Sequence, residues 1–301
     1  MIQNPARLSL SKGQLQLEND DGVTSLPLED IGCIVLESPQ ITLSSALLGK
    51  CQELGVCVVT CDNKHMPNGI LHPFMPHSRQ SKVAQIQVSW SAPLKKRLWQ
   101  SIIKQKINAQ AEVLEIFNEA PSSARALRAM SRLVTSGDQG NIEAQAARQY
   151  WTALFGTSFR RHQGDSVNGA LNYGYAILRG TLARSVTAYG LLPAFGLHHD
   201  SELNAFNLVD DLIEPYRPFV DRRVKILLLE KGLTAAEPLS KEHRQALAEL
   251  LKETCRFPDG HQSLLNAADR TAASLVSAIE KKDAAKIEFP FMPDPLVASR
   301  C

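Results

Sequence analysis

Between Asn207 and Asp221 the chain reads NLVDDLIEPYRPFVD, which gathers four carboxylates, Asp210, Asp211, Glu214 and Asp221. Just before it, FGLHHDSE supplies the neighbouring imidazoles of His198 and His199. Carboxylate oxygens with an imidazole suit a divalent cation such as Mg²⁺ or Mn²⁺. No thiol lies in this stretch, which argues against structural zinc. On a continuous helix Asp211 and Glu214 face the same way, and Asp210 pairs with Glu214 equally well. Like charges that close repel one another unless a cation sits between them.

A further carboxylate stands out upstream. If NIEAQAARQYWTALF is helical, Glu143 shares the apolar face of Ala147, Tyr150, Trp151 and Leu154. A charge there costs free energy without a partner. The sequence leaves open whether that partner is an arginine, with Arg179 or Arg184 in reach, or a metal ion.

The charge distribution suggests what such a site works on. Residues 1–62 hold three basic against eight acidic residues, whereas residues 79–106 hold seven basic residues and no acid. Residues 122–184 add eight arginines against Asp138, Glu143 and Asp165. A polyanion is steered to the second part and repelled from the first. Arg79, Lys95, Lys96, Arg97, Arg160, Arg161, Arg179 and Arg217 are the candidate DNA-binding residues. Carboxylates that hold a metal, set among cations that hold a backbone, make up the equipment of phosphodiester chemistry.

The elements that must position these groups divide in two. The first part alternates as strands do: ARLSLSKGQLQLE reads as a hairpin about a Lys-Gly turn, and IGCIVLE and VCVVTC read as buried strands. SSALLGKCQELG changes to a helical period, with a serine cap and a glycine stop. Prolines 67, 73 and 76 place a linker at 67–80. Helical periodicity then dominates, in PLKKRLWQSIIKQKINAQAEVLEIF, NGALNYGYAILRGTLARSVTAYG, FNLVDDLIEPYRPFVDRRVKILLLEKG, SKEHRQALAELLKETCRF and GHQSLLNAADRTAASLVSAIEKK. The expected fold is α+β. A small β-rich N-terminal domain with one short helix, 1–66, precedes a larger all-α-helical domain, 81–290, and an irregular tail, 291–301. The 301 residues exceed the usual single-domain size. There is no long apolar run and no secretory signal pattern, and the six scattered cysteines read as reduced thiols, so a cytoplasmic location is expected.

The segments GNIEAQAARQYWTALF, NGALNYGYAILRGTLARSVTAYGLLPAFGLHH and FNLVDDLIEPYRPFVD, in that order and spacing, resemble the CRISPR-associated spacer-acquisition integrases, the Cas1 family. The form of the last two is most similar to the branch associated with single-large-nuclease effectors. The resemblance implies a metal-dependent integrase and endonuclease that joins the 3′-hydroxyl of a prespacer DNA to the CRISPR repeat by transesterification. It implies Mg²⁺ or Mn²⁺ as cofactor, and double-stranded DNA, a homodimer formed through the β domain and the small Cas2 subunit as partners. Residue by residue, it places the metal ligands and catalytic groups on Glu143, on His199 (the histidine of G-x-x-H counted from Gly196) and on Glu214. Asp211 is then a supporting or alternate carboxylate. Many members carry Asp where Glu214 stands.

Two other classes compete. A His-Asp metal phosphohydrolase would use His199 and Asp200 with His162 and Asp269, but gives Glu143 and Glu214 no task. A non-catalytic nucleic-acid scaffold would be indifferent to metal chelation.

Overall fold

The computed structural model describes residues 1–71, 73, 78–118, 120–161 and 163–293. It has the expected order, a β-rich N-terminal part followed by helices. The hairpin of β1 (Ala6–Ser11) and β2 (Gln14–Asn19) turns at Lys12 and Gly13, both with positive φ, and pairs Leu10 with Leu15. β3 (Gly22–Pro27) adds beside β2, and β5 (Ile41–Leu43) pairs parallel with β1, giving the order β3-β2-β1-β5. A second sheet has the order β4-β6-β7, from β4 (Cys33–Leu36), β6 (Cys57–Cys61) and β7 (Pro67–Leu71). Between them α1 (Ser45–Glu53) starts where the Ser44 hydroxyl accepts the Leu47 amide.

The second sheet is a shared wall. Ile34, Leu36 and Val58 face a small core with Leu8, Leu15, Leu28 and Leu47, whereas Val35, Cys57 and Val59 belong to the large helical core. Burial on both faces explains why these strands read as unbroken apolar runs.

β7 lies inside the stretch expected to be linker from residue 67. Pro67 stands at the strand's first position, beside a register shift at Thr60/Cys61, where a missing amide does no harm to the ladder. Residues 72 and 74–77, the rest of the proline-rich stretch, lie outside the described residues.

The helices follow: α2 (Gln80–Val88), α3 (Ala92–Ile116), α4 (Pro121–Leu133), α5 (Ile142–Phe155), α6 (Ser166–Ala188), α7 (Asn207–Leu212), α8 (Arg217–Glu230), α9 (Lys241–Ala248) and α10 (Leu264–Glu280). α6 is buried almost all round, and a Cβ on Gly174 would stand 2.5 Å from Val220 of α8, so that glycine sets the close packing of the two helices.

Two expectations need correction. NLVDDLIEPYRPFVDRR is not one helix. Pro215 and Pro218 lack the amides a continuous ladder needs, and a 3₁₀ turn, Glu214–Tyr216, separates α7 from α8. The helix expected through KETCRF ends at Ala248. After a 3₁₀ turn, β8 (Thr254–Phe257) and β9 (Gly260–Ser263) form a hairpin about Pro258 and Asp259. The start of the tail is tied down: Phe291 bridges to Arg256 and the Met292 amide donates to Glu112, while residues 294–301 lie outside the described residues. Among the described residues no helix is long and apolar enough to cross a membrane.

Candidate active site

Four segments converge. α3 buries Leu98, Ile102, Ile103, Ile107 and Leu114. Lys106 lies one turn beyond Ile102 and Ile103, so it projects inward. α5 begins where the Asp138 carboxylate accepts the amides of Ile142 and Glu143, each at 3.0 Å. This fixes Glu143 in the first turn, where the helix dipole favours a negative charge.

The histidine loop is held by side chains. The Gln87 amide nitrogen donates to the carbonyls of Leu192 and Phe195, and Asn207 donates to those of Ala194 and Ser201. Asp211, fully buried, accepts the amides of Leu197, His198 and His199 and the Nδ1 of His199 at 2.7 Å. His198 stacks on Trp99 with ring centroids 4.2 Å apart, while His199 meets the same indole edge-on.

At the centre, the Lys106 ammonium is 2.5 Å from Glu143 Oε1 and 2.5 Å from Glu214 Oε2. Glu214 also receives Arg217 Nε at 2.9 Å. Glu143 and Glu214 therefore face each other across one cation. The partner of Glu143 is neither arginine considered from the sequence. Arg179 makes a two-nitrogen ion pair with Asp210, and Arg184 binds Asp269. Lys106 was the missed residue. Its signal is the one that marked Glu143, a charge on an apolar helical face, hidden inside a run of cations.

The electrostatics follow. Burial raises the Glu214 carboxyl, but Lys106 and Arg217 outweigh it and hold the group at about 2. Lys106 loses to burial and gains more from Glu214 and Glu143, so its pKa is raised. The His199 imidazole is raised by its hydrogen bond to Asp211 and lies within the field of Glu214 and Asp210. Behind the site, Asp221 accepts from both Tyr150 and Tyr175, and burial pushes its carboxyl up to about 7. The Tyr175 ring in turn carries the guanidinium of Arg217, 4.6 Å from its centroid.

The acid pairs expected on one helix face each take different partners: Asp210 goes to Arg179, Asp211 to the histidine loop and Glu214 to Lys106 and Arg217. Among the described residues no three His, Cys, Asp or Glu side chains are gathered closely enough to hold a metal ion as they stand. The donor set nonetheless fits a divalent cation. Two carboxylates already enclose a positive charge, and the buried Oε2 of Glu214 has that ammonium as its partner but no well-directed hydrogen bond. With Nδ1 given to Asp211, neutral His199 keeps Nε2 as its free lone pair, the usual arrangement behind a ligating histidine.

The expected DNA-binding residues fall into two groups. Arg179, on the Phe206 ring, and Arg217 are committed to carboxylates. Arg161 donates to Asn168 and Asn172. Arg79, Lys96, Arg97 and Arg160 are exposed, Arg160 also donating to the carbonyls of Thr157 and Phe159, and Lys95 lies over Trp90. Of the groups a phosphohydrolase would need, Asp269 is bound by Arg184 and Ser185, and His162 lies outside the described residues. A groove of about 890 Å³ between α8, α9 and β8, lined by Arg223, His243 and Glu253 among others, shares no residue with the site.

The model of the family described as "CRISPR associated protein Cas1" matches residues 1–256. The CRISPR-associated endonuclease Cas1 of Neisseria meningitidis serogroup C (strain 8013) is 42% identical over 291 residues, 96% of this chain and 94% of that protein. A casposase bound to its integration product superposes with a TM-score of 0.76 at 16% identity, over 95% of this chain and 92% of that one. A chain of a Cas6-RT-Cas1–Cas2 complex gives 0.72 at 18% identity, over 95% of this chain but 35% of that longer one, so the shared part is about a third of its length. At such identities these two establish the fold alone. The chain belongs to the Cas1 family.

Proposed function

We propose that this protein is a metal-dependent DNA endonuclease and integrase of CRISPR adaptation. Glu143, His199 and Glu214 would hold Mg²⁺ or Mn²⁺, and the observation that carries this reading is the meeting of Glu143 and Glu214 around a single cation. Asp211 has the task of fixing the histidine: its oxygens are filled by four donors, so it serves His199 rather than an ion. Arg217, seated on Tyr175, keeps Glu214 ionised and in place. The reaction is a transesterification in which the prespacer 3′-hydroxyl oxygen bonds to a repeat phosphorus and the displaced strand leaves with its own 3′-oxygen. When bound, the ion supplies Lewis-acid polarisation of the scissile phosphate. No protein nucleophile is needed.

Support for the partners comes from the relatives. A structural neighbour is a Cas6-RT-Cas1–Cas2 complex and another holds an integration product. On this reading the chain works on double-stranded DNA in the cytoplasm, as a homodimer joined to the small Cas2 subunit. The acidic β-rich part serves for dimerisation and the exposed cations near α2, α3 and α5 hold the DNA backbone.

The test is strand transfer between a labelled prespacer duplex and a supercoiled repeat plasmid, with Mn²⁺ or with chelator. Joined product should require the ion and vanish in Glu143→Gln, His199→Ala and Glu214→Gln while DNA affinity is kept. Joining that survives chelation, or loss of DNA binding in all three variants, would overturn the reading.

A further inference from the structure

Lys106 is a second occupant for the place the proposed function gives to a divalent ion. Its ammonium contacts one oxygen of each glutamate at 2.5 Å. It is largely buried, with 11% of its side chain exposed. A carboxylate pair enclosed this way is what the oxygen donors of a Mg²⁺ or Mn²⁺ site look like from the ligand side. One ammonium and one divalent ion cannot share that space, since they repel and compete for the same lone pairs.

The two glutamates are not equally dependent on Lys106. Glu214 keeps Arg217 at 2.9 Å if the ammonium leaves. Glu143 has Lys106 as its one ion-pair partner among the described residues. Lysine also suits a group that must depart. It is a compact charge on a flexible four-carbon stem, whereas an arginine fork would lock both acids by bidentate bonds.

We propose that Lys106 is the site's displaceable counter-ion: its ammonium holds Glu143 and Glu214 together before a divalent cation arrives and leaves that position when the cation binds. The proposal rests on the metal-dependent reading above and adds a residue to it. Lys106 is a positioning residue that preorganises the two carboxylates and lowers apparent metal affinity by competition. Without a metal ion it spares the protein an unpaired Glu143 facing the buried Glu214, an arrangement that repels itself.

The experiment measures Mn²⁺ binding to the full chain by calorimetry, in wild type and Lys106→Gln, with melting temperatures in chelator and in Mn²⁺. The variant should bind Mn²⁺ about tenfold more tightly, because a competing unit charge is gone. It should melt lower than wild type in chelator and gain more from Mn²⁺. Equal or weaker binding by Lys106→Gln overturns the proposal while leaving the metal reading intact. If neither protein binds Mn²⁺, the metal reading fails, and this inference with it. Should the variant not fold, wild type alone decides. Acetylation of Lys106 by an amine-reactive ester, followed by mass spectrometry, should be slow in chelator and faster in Mn²⁺, and a rate indifferent to Mn²⁺ overturns the displacement.

Discussion

Asp211 holds His199 twice, accepting its backbone amide at 3.1 Å and its ring Nδ1 at 2.7 Å with the same oxygen, Oδ1. The other oxygen takes the amides of Leu197 and His198. One buried carboxylate therefore sets both the path of the loop and the tautomer of the ring. Asp211→Asn keeps the volume but presents an amide nitrogen to donors. At least one donor pair loses its acceptor, at about 1–3 kcal/mol for each buried group left unmet. We expect a lower melting temperature and strand transfer reduced to the level of His199→Ala, with DNA affinity unchanged. Full activity in Asp211→Asn would show that the ring needs no such support.

A second prediction concerns pH. Burial raises Asp221 from 3.8 to about 7, against the two tyrosine hydroxyls that favour its charged form. A carboxyl with a raised folded-state pKa prefers to be neutral inside the protein. Its contribution is complete below the unfolded value and is lost as pH climbs from there through about 7. Asp221→Asn mimics the neutral form at every pH. The difference in melting temperature between variant and wild type should move in the variant's favour as pH rises from about 5 to about 8. A difference that stays flat over that range would mean the carboxyl is already ionised in the core at low pH.

The sequence alone shows some of this site and conceals the rest for physical reasons. Glu143 is visible because helical period puts its charge on an apolar face. The histidine loop and the D-L-x-E-P-x-R-P segment are visible as a dense cluster of ligand-type residues. Lys106 is hidden because seven cations between 79 and 106 read as one solvated or DNA-facing surface, and composition does not say which one turns inward. Arg179 and Arg217 show the converse: their carboxylate partners cannot be told from sequence, and Asp210 and Glu214 pair with them. The β8–β9 hairpin hides behind a helical pattern in ALAELLK that continues past the real stop. Its signal is the Pro258-Asp259-Gly260 turn, with Cys255 and Phe257 alternately buried before it.

The glycine of G-x-x-H can be tested directly. A Cβ on Gly196 would stand 2.8 Å from Asp211 Oδ2 and closer still to the His199 carbonyl oxygen. Neither atom can retreat cheaply, since one belongs to the backbone and the other is held by two amides. Gly196→Ala should cost about 1–3 kcal/mol of overpacking and release the imidazole from its place. We expect loss of strand transfer at a melting temperature still well above the assay temperature. Retained activity would mean the loop re-forms with Asp211 displaced.

The cations divide into those that hold the fold and those that meet solvent, and the division predicts two different phenotypes. Lys96 and Arg97 are exposed on the surface of α3. If they neutralise phosphates, replacing each with Gln lowers DNA affinity on any sequence. The slope of log affinity against log salt then falls by about 0.9 for every phosphate left without its cation. Melting temperature should hardly change. Arg217→Gln leaves Glu214 with Lys106 alone and Arg161 as the remaining cation over the Tyr175 ring, so its first effect is on stability and on the site, at about 1–3 kcal/mol for a buried group that loses one hydrogen-bond partner. Its salt slope should match wild type. An Arg217→Gln protein of normal stability with a shallower slope would place that guanidinium on the DNA instead of on Glu214.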